Sequence, residues 1–212
     1  MIFETLCVGM LACNATVIGD EKTREAIVVD GGDGVDEVVA RLQKLDLRAK
    51  YLIHTHAHFD HIAEVGRLRE HTQAAALLHP ADLPIYHDQP RLMRLFGLEP
   101  LPRIVDLDGD LSDGERLAVG GVTCEVLHTP GHTPGSVCFA IDERSSSTRL
   151  LTGDTLFAGA IGRWDLGGTS MEDIVSSIRR KLLCFPDETQ VVPGHGMFTT
   201  IGNERSSNPY LR

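Results

Sequence analysis

The chain has 212 residues, 42% of them hydrophobic, which is enough to bury one sizeable core. Its 30 acidic residues against 20 basic ones leave a formal charge of −10, and no segment gathers lysines and arginines, so the electrostatic footprint of a nucleic-acid binder is missing. The first residues, MIFETLCVGMLACNATVIGD, carry Glu4 early, lack a basic start and never reach the length of a membrane span; a cytoplasmic protein with no membrane partner is expected.

The chain opens with short β-rich runs. FETLCVG, NATVIG and AIVVD are bounded by Gly, Asn and Asp and predict a meander of three strands. After GGDG the period changes: Val35, Val38, Val39, Leu42 and Leu45 form one face of an amphipathic helix. The strand YLIH follows and runs into HTHAHFDH, after which Ile62, Val65 and Leu68 predict a second helix starting just past His61. AAALLH returns to strand. Residues 80–103 hold five of the ten prolines around RLMRLFGLEP, which predicts a short helix within a loop-rich excursion. Arg91, Met93, Phe96 and Leu98 in this stretch are candidates to roof a site, although Met and Phe at helical spacing more commonly mark core.

The second half repeats the style. ERLAV, VTCEVLHT, SVCFAID and RLLTGD read as strands separated by GG, PGHTPG and the polar ERSSST turn. Ser170 with Asp173 three positions on predicts a helix start, with Ile174, Ile178 and Leu182 as its apolar stripe; TQVVPGH is the closing strand. Two runs of strands, each finished by helices, predict an α/β chain of four layers, αββα, with two mixed sheets face to face and helices outside. One domain over 1–212 is expected, as a monomer or small homo-oligomer. Cys7, Cys13, Cys124, Cys138 and Cys184 lack CxxC spacing and mostly lie in apolar runs, as reduced, packed thiols would.

His54–His61 packs four imidazoles and a carboxylate into eight residues at the end of an apolar strand. Several imidazoles together repel one another when protonated and bury donors poorly when neutral, whereas a divalent metal resolves both problems. His56, His58, Asp60 and His61 are therefore read as ligands of zinc or another borderline divalent ion. His132 in TPGHTPGS, Asp154 in LLTGDT and His195 in VVPGHG each follow a strand in a Gly-containing loop; by spacing alone each is either a ligand on the same rim or a turn-former. His54 is read as a strand-end residue or one that orients a ligand, His128 as one that orients a ligand, and His71, His79 and His87 as facing solvent.

HxHxDH, then the His of PGHTPG, then GD, then PGHG, in this order, resembles the metallo-β-lactamase superfamily, and THAHFDH, TPGHTPGS, TGDTLF and VPGHG most resemble its short glyoxalase II-like (hydroxyacylglutathione hydrolase-like) hydrolases. The resemblance implies the αββα metallo-β-lactamase sandwich, and two divalent metals, zinc with iron or manganese as alternatives. His56, His58 and His132 would hold one, Asp60, His61 and His195 the second, and Asp154 would bridge them; Asp60 and Asp154 are the implied catalytic carboxylates. The implied reaction is hydrolysis of a small-molecule thioester such as S-lactoylglutathione or a related acyl-thiol by a metal-bridging hydroxide. A true β-lactamase of the best-known dizinc class would carry Cys where Asp154 stands. Full-length glyoxalase II enzymes add a C-terminal helical glutathione-binding domain, for which the residues after His195 leave no room, and carry Lys and Tyr where this chain has Arg163 and Asp165, the candidate substrate contacts. Trp164 between them is read equally as packing or substrate wall. Gly-Arg-x-Asp at this place also resembles the persulfide dioxygenase branch, in which His56, His132 and Asp154 would hold a single iron. Lactonase activity and a metal-stabilised binding module are the remaining readings.

Overall fold

The computed structural model describes residues 1–99, 101–143, 148–165 and 169–212. Strands β1 (Ile2–Val8), β2 (Cys13–Gly19) and β3 (Glu25–Val29) form the expected antiparallel meander, followed by helix α1 (Val35–Lys44) and strand β4 (Arg48–Ile53) parallel to β3. Short helix α2 (Phe59–Ile62), helix α3 (Val65–Thr72) and strand β5 (Ala75–Leu78) come next, then a 3-10 turn at Pro80–Asp82, helix α4 (Leu83–Leu95) and the two-residue strand β6 (Gly109–Asp110). Strands β1 to β6 lie side by side in chain order as one mixed sheet.

The second sheet takes β7 (Arg116–Val119), β8 (Val122–His128), β9 (Val137–Glu143), β10 (Arg149–Gly153), β13 (Gln190–Pro193) and β14 (Thr199–Thr200), in the order β14-β13-β10-β9-β8-β7. Only β10 and β13 within it are parallel. Between them run a small ribbon, β11 (Leu156–Phe157) with β12 (Ala160–Ile161), and helix α5 (Met171–Ser177), which continues as a π-helical turn over Ile178–Leu182; helix α6 (Ile201–Ser207) follows β14. The Ser170 cap is a full capping box, its hydroxyl accepting from the Asp173 backbone while the Asp173 carboxylate accepts from Ser170 N–H.

The layers follow from the two-residue period of the strands. In β3, Ile27 and Val29 face the second sheet, where they pack with Val126, Phe139 and Leu151, while Ala26 and Val28 face α1 and α3 with Val38, Leu42 and Leu68. In β9, Val137, Phe139 and Ile141 point into the same central layer; Cys138 and Ala140 point the other way, to Ile174, Ile178 and Leu182. Three apolar layers between four structural ones make the αββα sandwich.

The structure departs from the sequence reading in three places. The helix expected past His61 begins at Phe59, so that Asp60 and His61 sit in its first turn, and it stops at Ile62 before α3 resumes. The excursion helix begins eight residues before Arg91 and runs 13 residues through Pro90; Pro84 is tolerated in its first turn, where an N–H would have had no helical partner. The Cys7 and Cys184 thiols are exposed, whereas Cys13, Cys124 and Cys138 are buried, and all five are free. Residues 144–147 of the expected ERSSST turn, and Pro100, lie outside the described residues.

Both sheets end on the same rim. The turn after β4, the β8–β9 turn, Asp154 after β10 and His195 after β13 all open there, and the sheets are stitched across it by Asn14 N–H to Gly194 O (2.7 Å) and Val137 N–H to Thr55 O (2.8 Å). Open α/β sheets place ligands at such strand ends.

Candidate metal centre

The segment His54–His58 is held rigid by two buried carboxylates and an amide before any ligand enters. Asp30, at the end of β3, accepts from Thr55 N–H (2.8 Å) and Thr55 hydroxyl (2.7 Å), and its Oδ2 lies 3.0 Å from His61 Nδ1. Asp82, fully buried, accepts from Ala57 N–H (2.9 Å), the Thr133 hydroxyl (2.8 Å) and Gly135 N–H (2.6 Å). Gln89 of α4 donates to Ala57 O (2.8 Å). The Ala57 residue, between His56 and His58, is thus gripped at both its N–H and its carbonyl, and Asp82 ties it to the loop that carries His132. Gly194 fits closely against the centre: a Cβ there would run into Asp154 Oδ1 and approach His61 Cε1 to 2.9 Å.

The seven residues singled out in the sequence converge. His58 Nδ1 lies 3.0 Å from His56 Nε2 and 2.9 Å from His132 Nε2. His195 Nε2 lies 3.0 Å from Asp60 Oδ2 and 3.3 Å from His61 Nε2, and His61 Nε2 is 3.4 Å from Asp60 Oδ2. Asp154 stands between the two groups, with Oδ2 3.6 Å from His132 Nε2 and Oδ1 3.6 Å from His61 Nε2 and 3.7 Å from His195 Nε2.

Hydrogen bonds on the outer edges of the rings set the tautomers. The Thr55 hydroxyl spends its proton on Asp30, so at 3.1 Å from His56 it can only accept, which places the His56 proton on Nδ1 and leaves Nε2 bare. His132 Nδ1 donates to the Arg163 carbonyl (2.8 Å) and His195 Nδ1 to the Leu11 carbonyl (3.0 Å), which directs both Nε2 atoms inward. Around His58 Nδ1, one proton at most can serve two bare nitrogens. Burial, reinforced by neighbouring imidazoles, pushes His56 well below the ordinary imidazole range and His58 down to about 3, so both are neutral near pH 7. Burial works to raise Asp60, but hydrogen bonds from His195 and His61 outweigh it and hold the carboxyl far below the usual range. Burial likewise opposes a charge on His61, yet the carboxylates of Asp30 and Asp60 keep that imidazole well above its ordinary value; the hydrogen bond to Asp60 raises His195.

These groups fit divalent metal. Bare imidazole nitrogens face one another at 2.9–3.0 Å, and Asp154 Oδ1 is buried with no hydrogen-bond partner, an arrangement whose cost a cation would remove. His56, His58 and His132 present ligand atoms within 4.8 Å of one another, as do His56, His61 and Asp154. Cys13, His61 and His195 meet the same distance, but burial pushes the Cys13 thiol up to about 11, and its Sγ lies 3.6 Å from Nδ1 of His61, the edge turned away from His195. A protonated thiol is a poor ligand.

Arg163 and Asp165 pair with each other, at 3.0 and 3.1 Å, both well exposed; what Arg163 gives the centre is its carbonyl. Trp164 packs edge-on to Tyr210 against the outer apolar layer, and residues 166–168 lie outside the described residues. His54 orients a candidate ligand by donating Nδ1–H to His61 O (3.0 Å), while His71 and His87 are exposed. His79, expected in solvent, is half-buried and stacks on His128 at 4.1 Å, and His128 Nε2 donates to Pro134 O (3.0 Å) in the loop of His132. Met93 is buried, Leu98 half-buried, and Arg91 and Phe96 are exposed. Asp30, Asp82 and Gln89 were not singled out in the sequence. Asp30 had a signal, since AIVVD ends an apolar run as LLTGD does; Asp82 and Gln89, inside the proline-rich excursion, had none.

A family model described as the metallo-β-lactamase superfamily matches residues 8–195. The hydroxyacylglutathione hydrolase GloC of Haemophilus influenzae is 35% identical over 212 residues, covering 100% of this chain and 98% of its own. Among solved structures, BLEG-1 B3 metallo-β-lactamase superposes with a TM-score of 0.85 at 33% identity over 99% of both chains. TTHA1623 in a di-iron-bound form gives 0.83 at 36% over 100% of both, and ETHE1 from Myxococcus xanthus gives 0.81 at 30%, over 99% of this chain and 84% of that one.

Proposed function

Since the chain belongs to the metallo-β-lactamase superfamily, we propose that it is a dinuclear metal-dependent hydrolase of thioesters, acting on S-lactoylglutathione or related acyl-thiols. The observation that carries this reading is Asp154, whose buried, unpartnered Oδ1 stands between the His56–His58–His132 group and the Asp60–His61–His195 group. In this assignment the first group would hold one ion and the second group the other, with Asp154 available to both. Zinc, iron and manganese all suit imidazole and carboxylate ligands, and the di-iron form of TTHA1623 supports two ions in a related chain.

Two divalent ions, when bound, supply Lewis acidity toward the thioester carbonyl and lower the pKa of a shared water toward neutrality. The chain's own residues supply the order. Asp60, kept ionised beside His195 and His61, would give the second ion a charged ligand oxygen. Asp30, Asp82 and Gln89 fix the ligand loops so that little rearrangement accompanies the reaction. The thiol leaves as a thiolate and asks for no strong general acid. Arg163 is the proposed contact for a substrate carboxylate, exchanging Asp165 for it. The likeness to GloC supports the acyl-glutathione class.

The test is thiol release from an acyl-glutathione panel by metal-loaded protein: cleavage abolished by chelation and by Asp60→Ala supports the reading, and full activity in Asp60→Ala refutes it. The Gly162–Asp165 run and the likeness to ETHE1 favour a second reading, a mononuclear-iron persulfide dioxygenase using His56, His132 and Asp154. Oxygen uptake by iron-loaded protein with glutathione persulfide supports it, and no uptake removes it.

A further inference from the structure

Beside the candidate centre runs a groove of about 450 Å³ with an apolar floor made by Met10, Phe59, Ala63, Met93 and Leu101. Three of these lining residues are tied to the centre. Phe59 lies between His58 and Asp60. Met10 precedes Leu11, whose carbonyl orients His195. Met93 sits one helical turn beyond Gln89, which holds Ala57. A volume of this size falls within the range of small-molecule pockets, and a lactoyl group would leave most of it empty.

Its charges select against anions. The two guanidiniums that reach it are already engaged, Arg67 with Asp36 and Glu64, and Arg103 with Glu70 at 3.0 Å. Asp33 and Glu99 also line it, and burial, first among its causes, pushes the Asp33 carboxyl up. With Asp33, Glu64, Glu70 and Glu99 set against Arg67 and Arg103, the lining of the groove is net negative and disfavours a glutathione carboxylate.

We propose that this groove receives the acyl chain of the substrate and selects medium-length, uncharged apolar acyl groups over lactoyl, with the thiol portion directed away from it. The inference rests on the thioester reading and adds the class of acyl group to it. An apolar chain laid along Phe59 would end beside the stretch of backbone that carries His58 and Asp60. Burying each methylene there is worth about a four-fold gain in affinity for the transition state.

The test is kcat/KM for acetyl, lactoyl, hexanoyl and decanoyl thioesters of one thiol, N-acetylcysteamine, with zinc-loaded protein. A rise on the order of 100-fold from acetyl to hexanoyl is expected, together with a preference that falls at least about ten-fold in Leu101→Asp. Leu101 is only half-buried, so this variant should fold. Binding of the non-hydrolysable S-decyl thioether of N-acetylcysteamine to metal-free protein, by calorimetry, separates the two failures. Tight binding weakened by Leu101→Asp with no cleavage of any thioester would retain the groove and discard the reaction. Rates flat with acyl length, or binding indifferent to the alkyl chain, would overturn the groove.

Discussion

Asp82→Asn tests whether the centre is held from outside its ligands. The carboxylate accepts three hydrogen bonds while fully buried, Oδ1 from Gly135 N–H and Oδ2 from both Ala57 N–H and the Thr133 hydroxyl. An amide of the same shape has a single acceptor oxygen. In one orientation its NH₂ faces Gly135 N–H, and in the other it faces Ala57 N–H, so at least one buried donor is left unpaired at roughly 1–3 kcal/mol. Burial pushes the Asp82 carboxyl up, so removing the charge returns part of that cost, and the net loss of stability should be about 1–2 kcal/mol. Metal affinity has no such offset. Ala57 sets the angle between His56 and His58, and Thr133 follows His132, so a bond lost at either end loosens a ligand pair. Outer contacts of this kind are worth about 10–100-fold in affinity. Competition against a chromogenic chelator should therefore show the first ion weakened about 10-fold or more at unchanged secondary structure. Wild-type affinity in Asp82→Asn would refute the reasoning.

Other outcomes follow from the same geometry. Asp154→Asn should lower metal content below two per chain by elemental analysis and cut thiol release on the order of 100-fold or more. Gly194→Ala should weaken metal binding, since its new methyl would press first on Asp154 and His61 and then on the Gly153 backbone at 3.0 Å; unchanged affinity in the same chelator competition would count against the packing described. Burial pushes His54 down to about 4, below its ordinary 6.5, so the folded chain keeps it neutral where the unfolded chain takes up a proton. The unfolded state then binds more protons below pH 6.5, so stability is full above that value and falls as the pH drops toward 4, by roughly 3 kcal/mol from this group. Urea unfolding of metal-free protein between pH 7.5 and 4.5 should show that decline added to those of His56 and His58, which burial lowers in the same direction, and His54→Asn should make it shallower.

The sandwich was legible because its strands obey a strict two-residue period and its helices a 3.6-residue one, as in AIVVD and the Val35–Leu45 stripe. The candidate ligand cluster was legible because its residue types crowd at strand ends, and all seven residues named from sequence and resemblance meet in space. What escaped was the support. Asp82 and Gln89 lie 25 and 32 residues from Ala57, and Asp82 lies 51 from Thr133, in a segment whose prolines concealed a 13-residue helix that carries Pro90 within it. The sequence offered Arg163 and Asp165 as candidate substrate contacts; their bidentate pairing with each other was not distinguishable there, because a guanidinium two residues from a carboxylate suits either role. The tautomers of His56 and His132 depend on Thr55, Asp30 and the Arg163 carbonyl, contacts that no spacing encodes.

The central claim is that two ions shared through Asp154 drive thioester cleavage. The most direct measurement titrates metal-free protein with zinc while following thiol release from S-lactoylglutathione and its acyl analogues. Activity that rises and levels at two ions per chain is the predicted result. Activity complete at one ion, or no thiol release with two ions bound, would contradict it.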